Sequence, residues 1–199
     1  MSAYCSADLV KVYSQVAYNQ LGFTSTELYG SFLAGTVIPS MQKTIDNYVN
    51  HNFLDNSGTI KLNGNGKDVL PVPSPYVPIK TLTSVKVDDV DVTSEIKAYP
   101  AYLALGSGVF TEDTQNVEVV LSYGYDSVPE DIQFVCAEMA AKEVTELLRR
   151  KVTPDVVARL IMRDDDVKEL PSFGRSGRVL TPELQEILNR YVYSNMDVT

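Results

Sequence analysis

One stretch decides the fold, residues 117–141, which read VEVVLSYGYDSVPEDIQFVCAEMAA. In its first part, Val117, Val119 and Leu121 alternate with Glu118, Val120 and Ser122. A period of two in a run rich in β-branched residues predicts a strand with at least one buried face. The glycine that follows two residues later ends this strand, because glycine weakens a strand interior and marks turns.

The second part of the stretch predicts a helix of about residues 129–151. Pro129 suits the first turn, where its missing N–H costs nothing, and Ser127 is a candidate cap. The acidic pair Glu130-Asp131 complements the positive end of the helix dipole, and the basic residues 149–151 complement the negative end.

This central helix has an unusually wide apolar arc. Its members, at 100° per residue, are Ile132, Val135, Cys136, Met139, Ala140, Val144 and Leu147, widened by Phe134, Ala137, Ala141 and Leu148. An arc of that width predicts cover from more than one side. Since alanines allow a neighbouring backbone to approach closely, we expect Ala137, Ala140 and Ala141 to lie at a contact between subunits as well as within one.

Helical spacing of apolar residues continues on both sides of this stretch. It predicts helices of about 7–20, with Leu9, Val12 and Tyr13 on one side, and of about 26–50, kinked or restarted at Pro39. A shorter helix is predicted over about 154–163.

The region of about 57–123 reads instead as a small antiparallel β module. Short β-prone runs alternate with turn residues, and we predict three hairpins. They are residues 59–70 around Asn63-Gly-Asn-Gly66, residues 85–92 around Asp88-Asp89, and residues 99–110 around Gly106-Ser-Gly108. The prolines of 71–78 exclude a central strand there and predict an extended edge or connector. The expected fold class is therefore α+β, a mainly helical bundle with this β module inserted.

The C-terminal part has a different organisation. Residues 171–178 contain two glycines and no apolar period, which predicts a flexible link between a single domain of residues 1–170 and a last helix. That helix has an apolar stripe of Leu184, Ile187, Leu188, Tyr191 and Val192. The stripe must be buried, either on a partner or neighbouring subunit, which we predict, or by folding back onto its own bundle.

Composition limits the classes of function. The chain has 199 residues, a net charge of −9 and a pI of about 4.6, which argue against a protein that grips nucleic acid through its phosphates. No apolar run approaches the length of a membrane span, and no signal peptide is recognised. Cys5 and Cys136 differ in setting and are far apart in sequence, so neither a disulfide framework nor a zinc site is expected.

We identify no catalytic, cofactor-binding or metal-binding residue. His51, the single histidine, lies at a predicted helix end without a recognisable partner, which favours a surface or helix-terminal role over catalysis. The acidic runs 88–91 and 164–166 lack EF-hand spacing and are interpreted as a solvated turn and a solvated helix end. Residues 63–66 lack the Gly-Lys-Ser/Thr of a phosphate loop.

The order of several motifs resembles that of the head-tail connector proteins (adaptor or head completion proteins) of tailed bacteriophages. One is the strand that ends at Tyr123-Gly124, followed by Val128-Pro-Glu-Asp-Ile132 at the start of an alanine-rich helix. Others, earlier in the chain, are a helix ending in residues 45–53 and the proline-rich residues 70–79 leading into 83–89. The resemblance covers roughly residues 25–150.

This resemblance implies a structural virion protein without enzymatic activity or cofactors. Twelve copies would form a ring beneath the portal protein, contact the tail or stopper protein, and line a channel for double-stranded DNA that passes without specific binding. The expectation that residues 184–192 dock on the portal or on a neighbouring subunit lies outside this resemblance and comes from their apolar stripe and the predicted flexible link. The protein would be made in the host cytoplasm and reside at the head-tail interface of the virion, with no membrane partner.

Two other classes of function stay open from the sequence. One is a tail or baseplate structural protein that forms rings or trimers. The other is a small cytosolic enzyme or binding domain with an unrecognised site.

Overall fold

The computed structural model describes residues 3–150 and 180–192, and its chain divides into two compact units. The helical unit comprises Met1–Tyr48 and Pro129–Tyr191. The β unit comprises Val49–Val128 and Val192–Thr199. The α+β class is therefore confirmed. The description "mainly helical" is not, because the antiparallel sheets form a compact unit of their own.

The helical unit contains helices at both ends of the chain. They are α1 (Ala7–Ser14), α2 (Thr26–Phe32), α3 (Ile38–Val49), α4 (Glu130–Arg149) and α5 (Pro182–Asn189). Helix α3 ends one residue beyond this unit's boundary at Tyr48. The predicted helix 154–163 and link 171–178 lie outside the described residues.

The N-terminal helices are shorter than predicted. Helix α1 ends at Ser14 because Gln15 adopts a left-handed conformation with φ of 53°, and a 3₁₀ turn follows at Tyr18–Leu21. The predicted helix 26–50 is divided by a π-helical turn at Leu33–Val37. This turn precedes Pro39, which has no N–H to donate to the preceding turn, so a change in hydrogen-bonding pattern is expected there.

The β unit contains two antiparallel sheets in its described part. The strands are β1 (Asn56–Gly64), β2 (Val69–Pro71), β3 (Ile79–Val87), β4 (Val90–Asp91), β5 (Ile96–Tyr99), β6 (Tyr102–Leu105) and β7 (Asp113–Tyr123). One sheet has the order β1-β7-β3-β4 and the other β2-β6-β5. Their buried side chains form one core cluster that includes Val85, Leu103, Phe110 and Val119.

Strand β7 is an inner strand of the four-stranded sheet. It pairs with β1 on one side, with Thr59 opposite Val120, and with β3 on the other, with Val85 opposite Val119. Val117, Val119 and Leu121 are all buried. The strand predicted at the start of the deciding stretch is confirmed.

One predicted hairpin is confirmed and two are wrong. Strands β3 and β4 form a hairpin through Asp88 and Asp89, which both have positive φ. Residues 59–62 and 67–70 do not pair, because β1 pairs with β7 and β2 with β6 in the other sheet. The third hairpin turns at residues 100–101, between β5 and β6, rather than at 106–108. The local turn signals were real, but long-range strand pairing determined which strands became partners.

The proline-rich segment behaves as predicted. Strand β2 ends at Pro71 and lies at the edge of its sheet, and a 3₁₀ turn at Ser74–Tyr76 connects it to β3. An edge position tolerates proline because one side of the strand needs no hydrogen bonds.

The loop from β7 to α4 depends on Gly124. This residue has φ of +96°, and a Cβ built on it would lie 1.9 Å from the carbonyl oxygen of Leu54. In the same unit, the Lys80 ammonium lies 2.9 Å from an Asp55 oxygen and 2.5 Å from an Asp126 oxygen, bridging two loops. Helix α4 then begins at Glu130, with Pro129 as its N-cap, so the predicted cap at Ser127 is wrong.

Candidate interaction surfaces

The apolar arc of α4 is buried within the helical unit. Ile132, Val135, Cys136, Met139, Ala140 and Val144 have no exposed surface. Ala137 and Ala140 are fully buried and Ala141 is 5% exposed. The alanines therefore pack inside their own subunit, and their additional contact with a neighbouring subunit stays a prediction. Phe134, which the sequence placed on the arc, is 38% exposed.

The C-terminal helix α5 packs against α4 of its own subunit. Leu184 and Leu188 are buried and Ile187 is partly buried. The Tyr191 hydroxyl donates to Asp131 Oδ1 at 2.7 Å. These contacts correspond to the second possibility that the sequence left open, folding back onto the subunit's own bundle.

A second hydrogen bond attaches α5 to the helical unit, from the Tyr48 hydroxyl on α3 to Asn189 Oδ1 at 2.9 Å. Part of the predicted stripe remains accessible, since Val192 is 44% exposed. Docking of the stripe on a portal or adjacent subunit stays a prediction.

Three apolar side chains on the first two helices of the helical unit are exposed to solvent. Val12 is 70% exposed, Leu28 54% and Tyr13 42%. Tyr13 packs edge-on against Phe134 with ring centroids 5.8 Å apart. Val10 faces the core, whereas Val12 and Tyr13 of the predicted α1 stripe are exposed. Leu9 of that stripe is partly buried. A helix of only two turns gives too few residues to fix its buried face by periodicity alone.

Among the described residues, two arginines at the end of α4 are paired, and several exposed carboxylates collect in the β unit. Arg149 and Arg150 at the end of α4 both contact Glu146, at 3.0 and 2.9 Å. These pairs are solvent-exposed and therefore weak. In the β unit, exposed carboxylates gather at one end of the four-stranded sheet. They are Asp88, Asp89, Asp91, Glu112 and Asp113.

His51 follows the end of α3, as predicted, but it is buried rather than on the surface. Its ring packs against Phe53 and Tyr125, with centroids 4.9 and 6.5 Å away, and Nδ1 lies 3.2 Å from the Val49 carbonyl oxygen. Burial lowers the pKa of this imidazole, so the ring is neutral at physiological pH. The geometry is that of an aromatic core residue.

Residues 3–150 and 180–192 contain neither a cluster of metal-binding side chains nor a membrane-spanning helix. In these ranges, no group of three or more His, Cys, Asp or Glu side chains is placed to hold a metal ion. Within the same ranges, the helices fall short of the length and apolar character needed to cross a bilayer. The acidic residues 88–91 form the exposed turn that the sequence predicted.

Titratable groups cluster instead inside the helical unit. The Tyr4 hydroxyl donates a hydrogen bond to Asp46 Oδ1. Burial raises the pKa of the Asp46 carboxyl to about 6, although this hydrogen bond lowers it in part. Next to Tyr4 in sequence, Cys5 lies with its Sγ 3.4 Å from that of Cys136. No signal in the sequence indicated this proximity, because 131 residues separate the two cysteines.

Comparison with known proteins gives matches in structure alone. No protein-family model and no curated protein match this chain. A chain in the structure of the neck of an empty gene transfer agent particle, computed with C6 symmetry, matches with a TM-score of 0.54 and 16% identity. The match covers 97% of this chain and 91% of that one.

A second match is a chain in the virion of the native gene transfer agent particle. Its TM-score is 0.51 at 12% identity, covering 98% of this chain and 95% of that one. This protein shares their fold. Identities this low show the fold alone, but the coverage means that the shared fold includes nearly the whole of each chain.

Proposed function

We propose that this protein is a structural component of the neck of a phage-like particle, where it forms a ring-shaped adaptor between the portal and the tail or stopper. The observation that carries the proposal is the fold shared, over nearly the full length of both chains, with a chain from the neck of a gene transfer agent particle. The motif order that resembles head-tail connector proteins supports it independently, since that resemblance comes from sequence alone.

Exposed apolar side chains support an assembled rather than a solitary protein. Val12 and Leu28 present apolar surface to solvent on α1 and α2. Apolar surface of this kind is stabilised when it is covered by another protein. We propose that these residues, rather than the buried alanines of α4, form the principal contact with a neighbouring subunit in a ring of twelve copies.

The charge supports passage of DNA without capture. The chain has a net charge of −9, and exposed carboxylates occupy one end of the four-stranded sheet. A channel lined by acidic side chains repels phosphates at close range, within about 10 Å at moderate salt. We propose that acidic side chains, including those of the helical unit, face such a channel.

Helix α5 can attach this protein to a partner only if it leaves its position on its own subunit. In the single chain Leu184 and Leu188 are already covered by the subunit's own unit. We propose that in the particle α5 leaves this position and docks on the portal or an adjacent subunit, where a ring of identical sites raises the effective concentration of partners.

Imaging of purified particles tests the function. The protein should be found as a ring at the vertex between head and tail, and particles made without it should have filled or emptied heads that lack tails. Protein located at the tail tip would favour the tail or baseplate alternative. Absence from particles, together with a monomer whose melting temperature rises with a small ligand, would favour the enzyme or binding-domain alternative.

A further inference from the structure

Two cysteines that are distant in sequence meet in the core of the helical unit. Cys5 lies in the segment before α1 and Cys136 in α4, and their sulfur atoms are 3.4 Å apart. Cys5 is 5% exposed and Cys136 is not exposed at all. Neither forms a disulfide with another residue.

We propose that Cys5 and Cys136 are a reversible disulfide site that covalently ties the N-terminal segment to helix α4. A disulfide requires the sulfur atoms to approach from 3.4 Å to about 2.05 Å. The two atoms are already in contact. The bond therefore requires a small adjustment of the side chains and of the short segment before α1, rather than a new fold.

The environment gives the two thiols different chemical roles. When Cys5 is ionised, the Cys136 S–H donates to its sulfur, which lowers the pKa of Cys5. The hydrogen bond to Cys5, burial and the nearby Asp46 carboxylate all raise the pKa of Cys136. Cys5 is also the more exposed of the two, so it is the thiol that reacts first with an external oxidant.

The oxidant that suits this site is a low-molecular-weight disulfide. The Cys5 thiolate attacks one of its sulfur atoms, the small disulfide bond breaks, and one small thiolate leaves while a mixed disulfide remains on Cys5. Cys136 then loses its proton and attacks Cys5 Sγ, which releases the second small thiol. The two protein thiols lose two electrons in total, and the small disulfide is reduced to two thiols that take up the protons.

This bond would stabilise the helical unit because it closes a long loop of the chain. A cross-link between residues separated by 131 positions removes much of the conformational freedom of the unfolded chain. It would reinforce the same segment that Tyr4 already attaches to Asp46. The site is independent of the proposed function, and either can fail without the other.

The test compares the full chain in glutathione buffers at fixed oxidised-to-reduced ratios. After blocking of free thiols, mass spectrometry should show a monomer that has lost two hydrogens and contains a peptide pair linked through Cys5 and Cys136. The melting temperature should rise by roughly 10 °C in the oxidised form and return with dithiothreitol.

Matched variants separate the bond from other oxidation effects. Cys5→Ser and Cys136→Ala should each lose the redox-dependent shift in melting temperature. If a variant fails to fold, the measurements on the wild-type protein still test the proposal. Three wild-type outcomes would overturn the proposal: both thiols free in excess oxidised glutathione, oxidation that stops at a mixed disulfide or links two chains, and a bond that leaves the melting temperature unchanged.

Discussion

At the scale of single residues, the most consequential groups are partly or fully buried ones that no local sequence motif indicates. Asp46 is an example: its carboxyl accepts a hydrogen bond from Tyr4, yet burial raises its pKa to about 6. A carboxyl whose folded pKa exceeds its ordinary value of 3.8 keeps its proton longer in the folded state. Stability from this group is therefore fully present below about pH 4 and is lost as pH rises through about 6.

We predict that Asp46→Asn makes the protein more stable than wild type at about pH 7.5 but not at about pH 4. The asparagine oxygen retains the acceptor for Tyr4, while the cost of a partly buried charge disappears. Thermal melting of both proteins across this pH range measures the difference. Glu186→Gln on the exposed side of α5 is the control and should show no such trend. A pH-independent difference for Asp46→Asn would contradict the prediction.

A second prediction at this scale concerns Gly124. Gly124→Ala should destabilise the protein by about 2 kcal/mol or more, because the new methyl group meets the Leu54 carbonyl and the backbone φ is positive. Gly58→Ala in the same unit is the control, since nothing lies within 4 Å of the Cβ it adds. Chemical denaturation of the two variants gives the comparison. Equal stabilities would show that the loop relaxes without cost.

At the scale of elements, helix α4 forms the core of the helical unit and determines how closely its neighbours approach. Ala140 is fully buried, and Thr145 on the same helix is exposed. We predict that Ala140→Leu costs about 1–3 kcal/mol of unfolding free energy through overpacking, whereas Thr145→Leu changes it little. Denaturant titration of both variants is the measurement. An Ala140→Leu variant with an unchanged unfolding free energy would show that the core has room for three more carbon atoms.

Helix α5 offers a test of where its apolar stripe belongs. Leu188 is fully buried against its own unit, so Leu188→Ala should lower the unfolding free energy of the isolated subunit by about 2–5 kcal/mol. Val192→Ala is the control, because that side chain is 44% exposed. If Leu188→Ala instead leaves the melting temperature of the subunit unchanged and weakens ring assembly, α5 packs on a neighbouring subunit.

At the scale of the whole molecule, the net charge bears on how the protein interacts with DNA, and the exposed apolar surface bears on how subunits contact one another. The negative charge predicts that the purified protein, as monomer or ring, does not retain duplex DNA in a salt-sensitive way at moderate ionic strength. Filter-binding or mobility-shift titrations across salt concentrations measure this. Tight binding that weakens steeply with added salt would show that a basic surface exists and would count against a passive channel.

The ring contact can be tested through the exposed residues of α1 and α2. Replacing Val12 and Leu28 with aspartate should prevent ring formation without changing the fold, because both side chains point to solvent in the single chain. Light scattering reports the size of the assembly and circular dichroism the fold. Rings that form normally with both substitutions would exclude this surface.

The sequence by itself determined the elements whose signals are local. Four features were predicted and are present: the alternation of β7, the proline and acidic start of α4, the turn at Asp88-Asp89 and the edge character near Pro71. Each depends on the conformational preference of residues that are neighbours in the chain, so no distant contact is needed to specify it.

The tertiary structure decided what these elements contact. Strand β1 pairs with β7 across the β unit rather than with the nearer β2, because the shared core rewards the register that buries Ile60 with Val119. Helix α5 covers α4, and Cys5 meets Cys136. Such contacts depend on the complementarity of surfaces that are far apart in sequence, and no local sequence pattern indicates this complementarity.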